Sequence, residues 1–389
     1  MKRIQKIFGV FLALSALFSS TACQKAKDSA VQSTGDEIVI GEVGSLTGND
    51  ATFGTSTRDG VDLAVQQLNK AGGINGKKVR VVVLDDQGKP EEAATAMTKL
   101  ITQDKVVAVL GEVASTRSLA MAPIAQANKI PMISPSSTNP EVTLKGNYIF
   151  RVCFIDPFQG AVMAKFAANS LKVKKVAILK DVKNDYSIGL SQFFTKTFKS
   201  LGGEIIIEQS YSANDIDFKS QLTAIKSKSP DAIYVPGYYT EVGLISRQAK
   251  ELGLNVPLLG GDGWDSEKLK EIGGNAINGN YFSNHYTSDT STPEVQKFVG
   301  EFKAAYGSIP DGLGALGYDS ANVLFDAMKR AKSLSPSDIR DAIAETKNFK
   351  AVTGTITLDH NRNPVKSAVV IEIKNGAFVY KETVLPDAT

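Results

Sequence analysis

Short β-rich and helical segments alternate along this chain almost without a break from Glu37 onward. The runs EIVIGEV, KVRVVVLDD and VVAVLGE are rich in β-branched residues, and the segments between them carry apolar residues at three- and four-residue spacing, as Val61, Val65 and Leu68 do. Continuous apolar strands can bury both faces, which is typical of a parallel sheet covered by helices on each side. The pattern predicts an α/β fold built on a doubly wound parallel sheet.

A second series of the same kind begins after residue 155, with strands at KKVAILK, EIIIEQ, DAIYVPG and VPLLGG and helical segments between them. Two such series exceed the usual size of a single core, so we expect two doubly wound parallel-sheet lobes. The predicted lobes are 37–155 with 285–369 (lobe 1) and 156–284 with 370–389 (lobe 2).

The N-terminal segment has the layout of a secretory signal peptide. A short basic stretch, MKRIQK, precedes the apolar run IFGVFLALSALF, and small residues then lead to Cys23. We interpret 1–22 as a signal peptide and 23–36 as a lipid-attached or flexible tether. Cys23 is the candidate lipid-bearing residue, and ordinary cleavage after Ala22 with a free thiol is the alternative. Both predict an exported protein of the periplasm or cell envelope.

Charge and cysteine content exclude several classes of protein. The leader holds three of the 44 basic residues, so the mature chain is formally neutral against its 41 acidic residues. No basic face argues for a nucleic-acid partner, and no later apolar run is long enough to span a membrane. The only cysteine besides Cys23 is Cys153, which we interpret as a buried thiol rather than a nucleophile. The core must therefore stabilise the fold without an internal disulfide.

Polar side chains follow several predicted strands at the point where a helix should begin. Ser115 and Ser136 follow neighbouring strands, where hydroxyls and free backbone N–H groups favour an anion, although plain helix capping would use the same residue types. Asp262 follows a strand of the second series, and a turn former is its alternative interpretation. Parallel lobes bind ligands beyond the carboxyl ends of their strands. An anion site facing an acid suits a zwitterion, such as an α-amino acid.

These segments resemble the leucine/isoleucine/valine-binding proteins of ABC importers over about residues 37 to 386. The resemblance is carried by GEVGSLTGNDATFGTSTRDGVDLAVQQLNKAGGINGKKVRV, IPMISPSSTNPE, VPGYYTE and GGDGWD. It implies the type I periplasmic binding fold. It also implies an extracytoplasmic monomer that delivers an amino acid to ABC permease subunits in the inner membrane and uses no cofactor.

The resemblance also implies roles for individual residues. Ser115 and Tyr238 match the residues that hold the ligand's carboxylate. Asp262 matches the acid that holds its ammonium group, together with the segment that contains Ser136 and Thr138.

The remaining predicted contacts surround the ligand's side chain, which we expect to be uncharged because a buried charge without a partner costs several kcal/mol. Leu313 stands where the family has Phe, and Asp262 stands where the best-known member has Glu. Both changes leave more room for the ligand's side chain in the cleft, which favours leucine or even phenylalanine over valine. The predicted wall residues are the aromatic Phe53, Tyr186, Tyr238 and Trp264 and the smaller or branched Val113, Ala114 and Leu313.

No sequence motif supports an enzyme or a metal site. The GxGxxG spacing in DGLGALG follows Pro310 rather than a strand, which argues against a dinucleotide site. His285 and His360 are far apart in sequence and are expected at the surface or at a hinge, and no GxSxG elbow is present. The sequence therefore predicts no catalytic residue, no cofactor and no metal.

With half of the site on each lobe, a ligand should shift a hinge equilibrium toward closure. We expect three chain crossings, near Ile155, His285 and Val369. The rival hypothesis is a sensory or amide-binding small-molecule receptor of the same fold, and Asp262 argues against any ligand that lacks an amine.

Overall fold

A computed structural model describes residues 37–386 of the chain. The predicted signal peptide, the predicted lipidation of Cys23 and the predicted tether lie outside the described residues. Within 37–386, no helix has both the length and the apolar character that crossing a membrane requires.

The first part of the chain forms a sheet of five parallel strands in the order β2-β1-β3-β4-β5. Its strands are β1 (Glu37–Gly44), β2 (Lys78–Asp85), β3 (Val109–Leu110), β4 (Met132–Ser134) and β5 (Ile149–Arg151). The helices between them are α1 (Ala51–Lys70), α2 (Pro90–Thr102), α3 (Ser115–Ala127) and α4 (Glu141–Leu144).

The chain then crosses to a second sheet. Its helices are α5 (Asp156–Lys165), which continues as one π-helical turn, α6 (Asp185–Ser200), α7 (Lys219–Lys226), α8 (Tyr239–Glu251) and α9 (Glu267–Gly273). Its parallel strands are β6 (Lys175–Asp181), β7 (Glu204–Tyr211), β8 (Ala232–Tyr234), β9 (Leu258–Gly260) and β10 (Tyr281–Asn284).

The C-terminal part first returns to the first sheet, where α11 packs along α1. It contains α10 (Pro293–Tyr306), α11 (Gly312–Arg330), α12 (Pro336–Ala344) and the small hairpin of β11 (Phe349–Ala351) and β12 (Gly354–Ile356). The chain then rejoins the second sheet as two antiparallel strands, β13 (Ala368–Lys374) and β14 (Ala377–Val384), which gives the order β14-β13-β10-β9-β8-β6-β7.

The strand order confirms the predicted α/β fold with two doubly wound, mainly parallel sheets. We use lobe 1 for the first sheet with α1–α4 and α10–α12, and lobe 2 for the second sheet with α5–α9. The chain passes between the sheets after β5, after β10 and before β13. The residue boundaries of the lobes stay a prediction, and β13 begins just before the predicted boundary at residue 370.

Both sheets place their first five strands in the same relative order. Strands β1, β3 and β4 of lobe 1 therefore correspond to β6, β8 and β9 of lobe 2. In open sheets of this order, the crevice for a ligand opens where the strand order reverses, at the carboxyl ends of the strands. The loops after these six strands are the ones that can meet between the lobes.

The glycines of DGLGALG allow two helices to approach closely. The Asp311 side chain caps α11 by accepting a hydrogen bond from the Gly314 N–H at 2.8 Å. A Cβ added at Gly60 of α1 would overlap the Gly314 carbonyl oxygen, and one added at Gly317 would overlap the Thr57 carbonyl oxygen. Packing of α1 against α11 therefore accounts for this glycine spacing.

Cys153 lies fully buried after β5, and its thiol donates to the Ser137 carbonyl at 3.4 Å. Burial raises the pKa of this thiol to about 12, so it stays protonated at neutral pH. The structure places Cys153 as a packed thiol, as its apolar sequence context predicts.

The contact between α1 and α11 leads to a stability prediction. Gly60→Ala should lower the free energy of unfolding by about 1 to 3 kcal/mol, because the added methyl group meets backbone that cannot move aside. Gly300→Ala, on an open face of α10, is the matched control and should be neutral or stabilising by up to about 1 kcal/mol. Urea denaturation of both variants checks this, and equal stability of the two would contradict it.

A second prediction concerns Glu42, which is buried in β1. Burial raises the pKa of Glu42 from 4.5 to about 8, with Arg58 opposing the shift. The folded state therefore holds this proton more tightly than the unfolded state, and the associated stability is lost as the pH rises from about 4.5 to about 8. Glu42→Gln should raise the melting temperature at pH 8, and the gain should shrink toward about pH 5. A gain that is independent of pH would contradict the assignment.

Candidate functional site

The loops at the carboxyl ends of both sheets line a small cavity between the lobes. Lobe 1 contributes residues that follow β1, β3 and β4 and the first turn of α11, and lobe 2 contributes residues that follow β6, β8 and β9. The cavity brings together every predicted contact residue except Thr138 and Trp264. Its lining residues are Phe53, Val113, Ala114, Ser115, Ser136, Tyr186, Tyr238, Asp262, Gly263 and Leu313.

Lobe 1 presents hydrogen-bond donors at the start of α3. Ser115 is the first residue of this helix, and the N–H groups of a first helical turn have no partner within the helix. The Ser115 hydroxyl accepts from the Asn139 N–H at 3.2 Å and keeps its own proton for donation. The N-cap position of α3 is Ala114, and the Ser115 hydroxyl bonds Asn139 rather than an N–H of α3, so Ser115 is not a helix-capping residue. This corner of the cavity suits a carboxylate.

A buried ion network holds the loop before α3. Glu112 accepts from the Ala114 N–H at 2.5 Å and from Arg117 Nε at 2.9 Å, and Arg117 Nη1 donates to Asp50 at 2.8 Å. Burial raises the pKa of Glu112 to about 7, and the adjacent guanidinium opposes that rise. Sequence reasoning missed this network, although an acid at the end of β3 and an arginine just after Ser115 were visible signals.

Lobe 2 presents aromatic rings across the cavity. Tyr186 and Tyr238 stack with their ring centroids 5.5 Å apart, and Phe53 of lobe 1 meets Tyr238 edge-on at 5.3 Å. Burial raises the pKa of both tyrosines, so their hydroxyl groups stay protonated at neutral pH and can donate. Phe53, Tyr186 and Tyr238 therefore form an aromatic wall on the cavity, and each tyrosine adds a polar end.

Asp262 lies in the first turn after β9, and its side chain is 7% exposed. Its Oδ1 accepts from Gln159 Nε2 at 2.7 Å, and its Oδ2 lies 2.9 Å from His285 Nε2. The acid is thus anchored by two neighbours rather than free in a turn. Sequence reasoning did not single out Gln159. It placed His285 at the surface or at a hinge and did not predict its contact with Asp262.

Two predicted contacts lie away from the cavity wall. Trp264 is fully buried, and its indole N–H donates to the Val235 carbonyl at 3.0 Å. The short 3₁₀ turn after β9 turns this ring into the core, which corrects its predicted place on the aromatic wall. Thr138 is buried outside the cavity lining, and its carbonyl accepts from the Asp156 N–H at 2.9 Å.

Direct hydrogen bonds join the lobes around the cavity. The Asp185 N–H of lobe 2 donates to Thr116 Oγ1 at 2.9 Å, and Asn139 Nδ2 donates to the Asp185 carbonyl at 3.0 Å. At another edge, the hydroxyls of Thr52 and Ser266 are 2.9 Å apart. The lobes are therefore closed over the cavity.

In the described part of the chain, no group of three or more His, Cys, Asp or Glu side chains is arranged to hold a metal ion. The polar groups that reach the cavity are hydroxyls, helix N–H groups and one carboxylate. This set can bind a small zwitterion by hydrogen bonds and ion pairing.

Comparisons with known proteins agree with this arrangement. A family model described as periplasmic binding protein matches residues 37–377. A leucine-, isoleucine-, valine-, threonine- and alanine-binding protein of Pseudomonas aeruginosa is 31% identical over 348 residues, which are 89% of this chain and 91% of the relative.

Two solved structures extend the comparison. A leucine binding protein of Thermotoga maritima is 43% identical, with a TM-score of 0.87, over 90% of this chain and 99% of that chain. A branched-chain amino acid transporter substrate binding protein of Streptococcus pneumoniae, solved with isoleucine, is 36% identical, with a TM-score of 0.86, over 90% of this chain and all of that chain (100%). The chain belongs to the periplasmic binding protein family, a family of binding proteins rather than enzymes, as its resemblance predicted.

Proposed function

We propose that this protein is the extracytoplasmic substrate-binding component of an ABC importer and captures an uncharged L-amino acid between its lobes. The observation that carries the proposal is the cavity itself, in which the donors at Ser115 face the carboxylate of Asp262 across apolar and aromatic surface. A zwitterion with an apolar side chain matches all three features: its carboxylate meets the donors, its ammonium group meets Asp262, and its side chain meets the apolar surface.

Each end of the ligand has its own partners in this proposal. The Ser115 hydroxyl, the free N–H groups of α3 and the Tyr238 hydroxyl would hold the carboxylate. Asp262 would hold the ammonium group, with the segment around Ser136 beside it. Charge-assisted hydrogen bonds contribute about 1.5 to 3 kcal/mol each, and micromolar affinity needs only about 8 kcal/mol net. A few such bonds with one buried side chain are enough.

Closure follows from the division of the site. An open form would keep only one lobe's contacts with the ligand, whereas the closed form gains both sets together with the hydrogen bonds between Thr116, Asn139 and Asp185. A ligand that binds both lobes therefore shifts the equilibrium toward closure. The closed surface would then be the form that permease subunits recognise, with the protein acting as a monomer.

The preferred side chain is a further part of the proposal. The relatives from Pseudomonas aeruginosa and Streptococcus pneumoniae carry names that refer to branched-chain and other small uncharged amino acids. Leu313 lines the cavity here, and Asp262, one methylene shorter than Glu, is held by Gln159 and His285 at the cavity wall. This supports leucine or phenylalanine over valine, with broad selectivity because one methylene is worth only about 1 to 3 kcal/mol.

The proposed location is the periplasm or cell envelope. Family membership supports export, and the leader pattern over 1–22 supports a secretory route. Attachment through a lipid on Cys23 belongs to the same proposal. Mass spectrometry of the mature protein from its native host would identify the modification.

A thermal-shift screen of the twenty amino acids tests the proposed ligand class. We expect aliphatic and aromatic amino acids to raise the melting temperature, with leucine or phenylalanine ahead of valine, because a ligand that binds the folded state stabilises it by mass action. Lysine, glutamate and aspartate should have little effect. A response only to charged amino acids, or only to an amide or sugar, would overturn the proposal and favour the receptor hypothesis.

Substitutions at the two ends of the cavity test the proposed contacts. Ser115→Ala and Asp262→Ala should each weaken leucine binding by about tenfold or more in calorimetry. Ser220→Ala and Asp217→Ala, at exposed positions of lobe 2, are the matched controls and should bind as the parent does. Parental affinity in Asp262→Ala would refute the ammonium assignment.

A further inference from the structure

The carboxylate of Asp262 is held on both oxygens by side chains from other parts of lobe 2 and its hinge. Gln159 Nε2 lies 2.7 Å from Oδ1, and His285 Nε2 lies 2.9 Å from Oδ2. All three side chains are buried. Two donors on one carboxylate use about half of its lone-pair sites, so the remaining sites can accept from a ligand.

The surroundings of His285 define its hydrogen-bonding state. The charged groups that face the ring are Asp262, in direct contact, and Lys366 at longer range. Burial lowers the pKa of His285, so the imidazole is neutral at pH 7 and carries one N–H. Nδ1 has no partner among the described residues, whereas Nε2 meets Asp262. The proton therefore belongs on Nε2, where the ring donates to the carboxylate.

Both donors come from the segments that cross between the lobes. Gln159 lies in the first turns of α5, directly after the first crossing, and His285 directly follows β10 at the second crossing. The His285 ring stacks on Phe154, with centroids 3.6 Å apart, and Phe154 precedes α5 on the first crossing. The stack fixes the plane of the imidazole, and the imidazole in turn fixes the carboxylate.

We infer that His285 and Gln159 are positioning residues for the recognition of the ligand's ammonium group. They hold the Asp262 carboxylate at one orientation at the edge of the cavity, so that its free lone pairs face the ligand before the ligand arrives. This inference rests on the proposed amino-acid-binding function. It assigns to the hinge a direct part in selecting ligands that carry an amine.

The experiment compares L-leucine with 4-methylpentanoate, which has the same carbon skeleton and carboxylate but no amine. His285→Phe keeps a ring to stack on Phe154 and removes the donor. We expect this variant to lose about tenfold in leucine affinity while its affinity for 4-methylpentanoate changes little. His285→Gln, whose amide nitrogen can occupy the place of Nε2, should recover most of the leucine affinity. A loss that is equal for both ligands, or no recovery, would overturn the inference and indicate a structural role.

A double-mutant cycle supplies a second readout. In the Asp262→Ala background, His285→Phe should have no further effect on leucine affinity, because the group that it positions is gone. Additive losses would contradict the inference. Gln159→Met is the companion variant if His285→Phe does not fold, and it should show the same selective loss of leucine binding. Circular dichroism of each empty variant confirms folding.

The outcomes separate this inference from the proposed function. If the parent protein binds no amino acid, the proposed function fails. If Asp262→Ala loses leucine binding but His285→Phe and Gln159→Met bind leucine as the parent does, the proposed function stands and the positioning role is refuted.

Discussion

Burial of both faces of each parallel sheet is the constraint on which the rest of this structure depends. Helices cover both faces, so the polar side chains that meet a ligand can come only from strand ends and loops. Because the two sheets share one strand order, three loops of each lobe reach the cleft at matching places. Ser115 and Tyr238 follow β3 and β8 in this way and face one cavity from opposite lobes.

The charges around the cavity are paired with other groups of the protein itself. Glu112, Arg117 and Asp50 form one buried network beneath the carboxylate corner, and Asp262 is anchored by two donors at the opposite side. A buried charge that lacks such partners costs several kcal/mol, so these contacts allow the site to keep its polar groups within a closed interior. A site that is ordered in advance loses less conformational entropy when it binds.

Much of the architecture was predictable because its signals are local. The spacing of apolar residues along each strand and helix indicates which side chains are buried, and the alternation of these segments predicted both sheets. Hydroxyls and acids directly after strands marked the cleft, so Ser115, Ser136 and Asp262 were found from position alone. The hydrophobic wall at Phe53 and Leu313 came from the family resemblance, since neither residue follows a strand closely enough to be recognised by spacing.

The sequence by itself therefore determined the α/β class, the two-lobed organisation and the residues at the strand ends, because periodicity and turn chemistry act over a few neighbouring positions. Only the tertiary structure decided which of those residues face the cavity and what holds them. Trp264 is two residues from Asp262 yet turns into the core, since its partner, the Val235 carbonyl, lies directly after β8. His285 reaches Asp262 because parallel pairing places β10 beside β9 in the second sheet, and contacts between residues so far apart in the chain leave no local pattern to read.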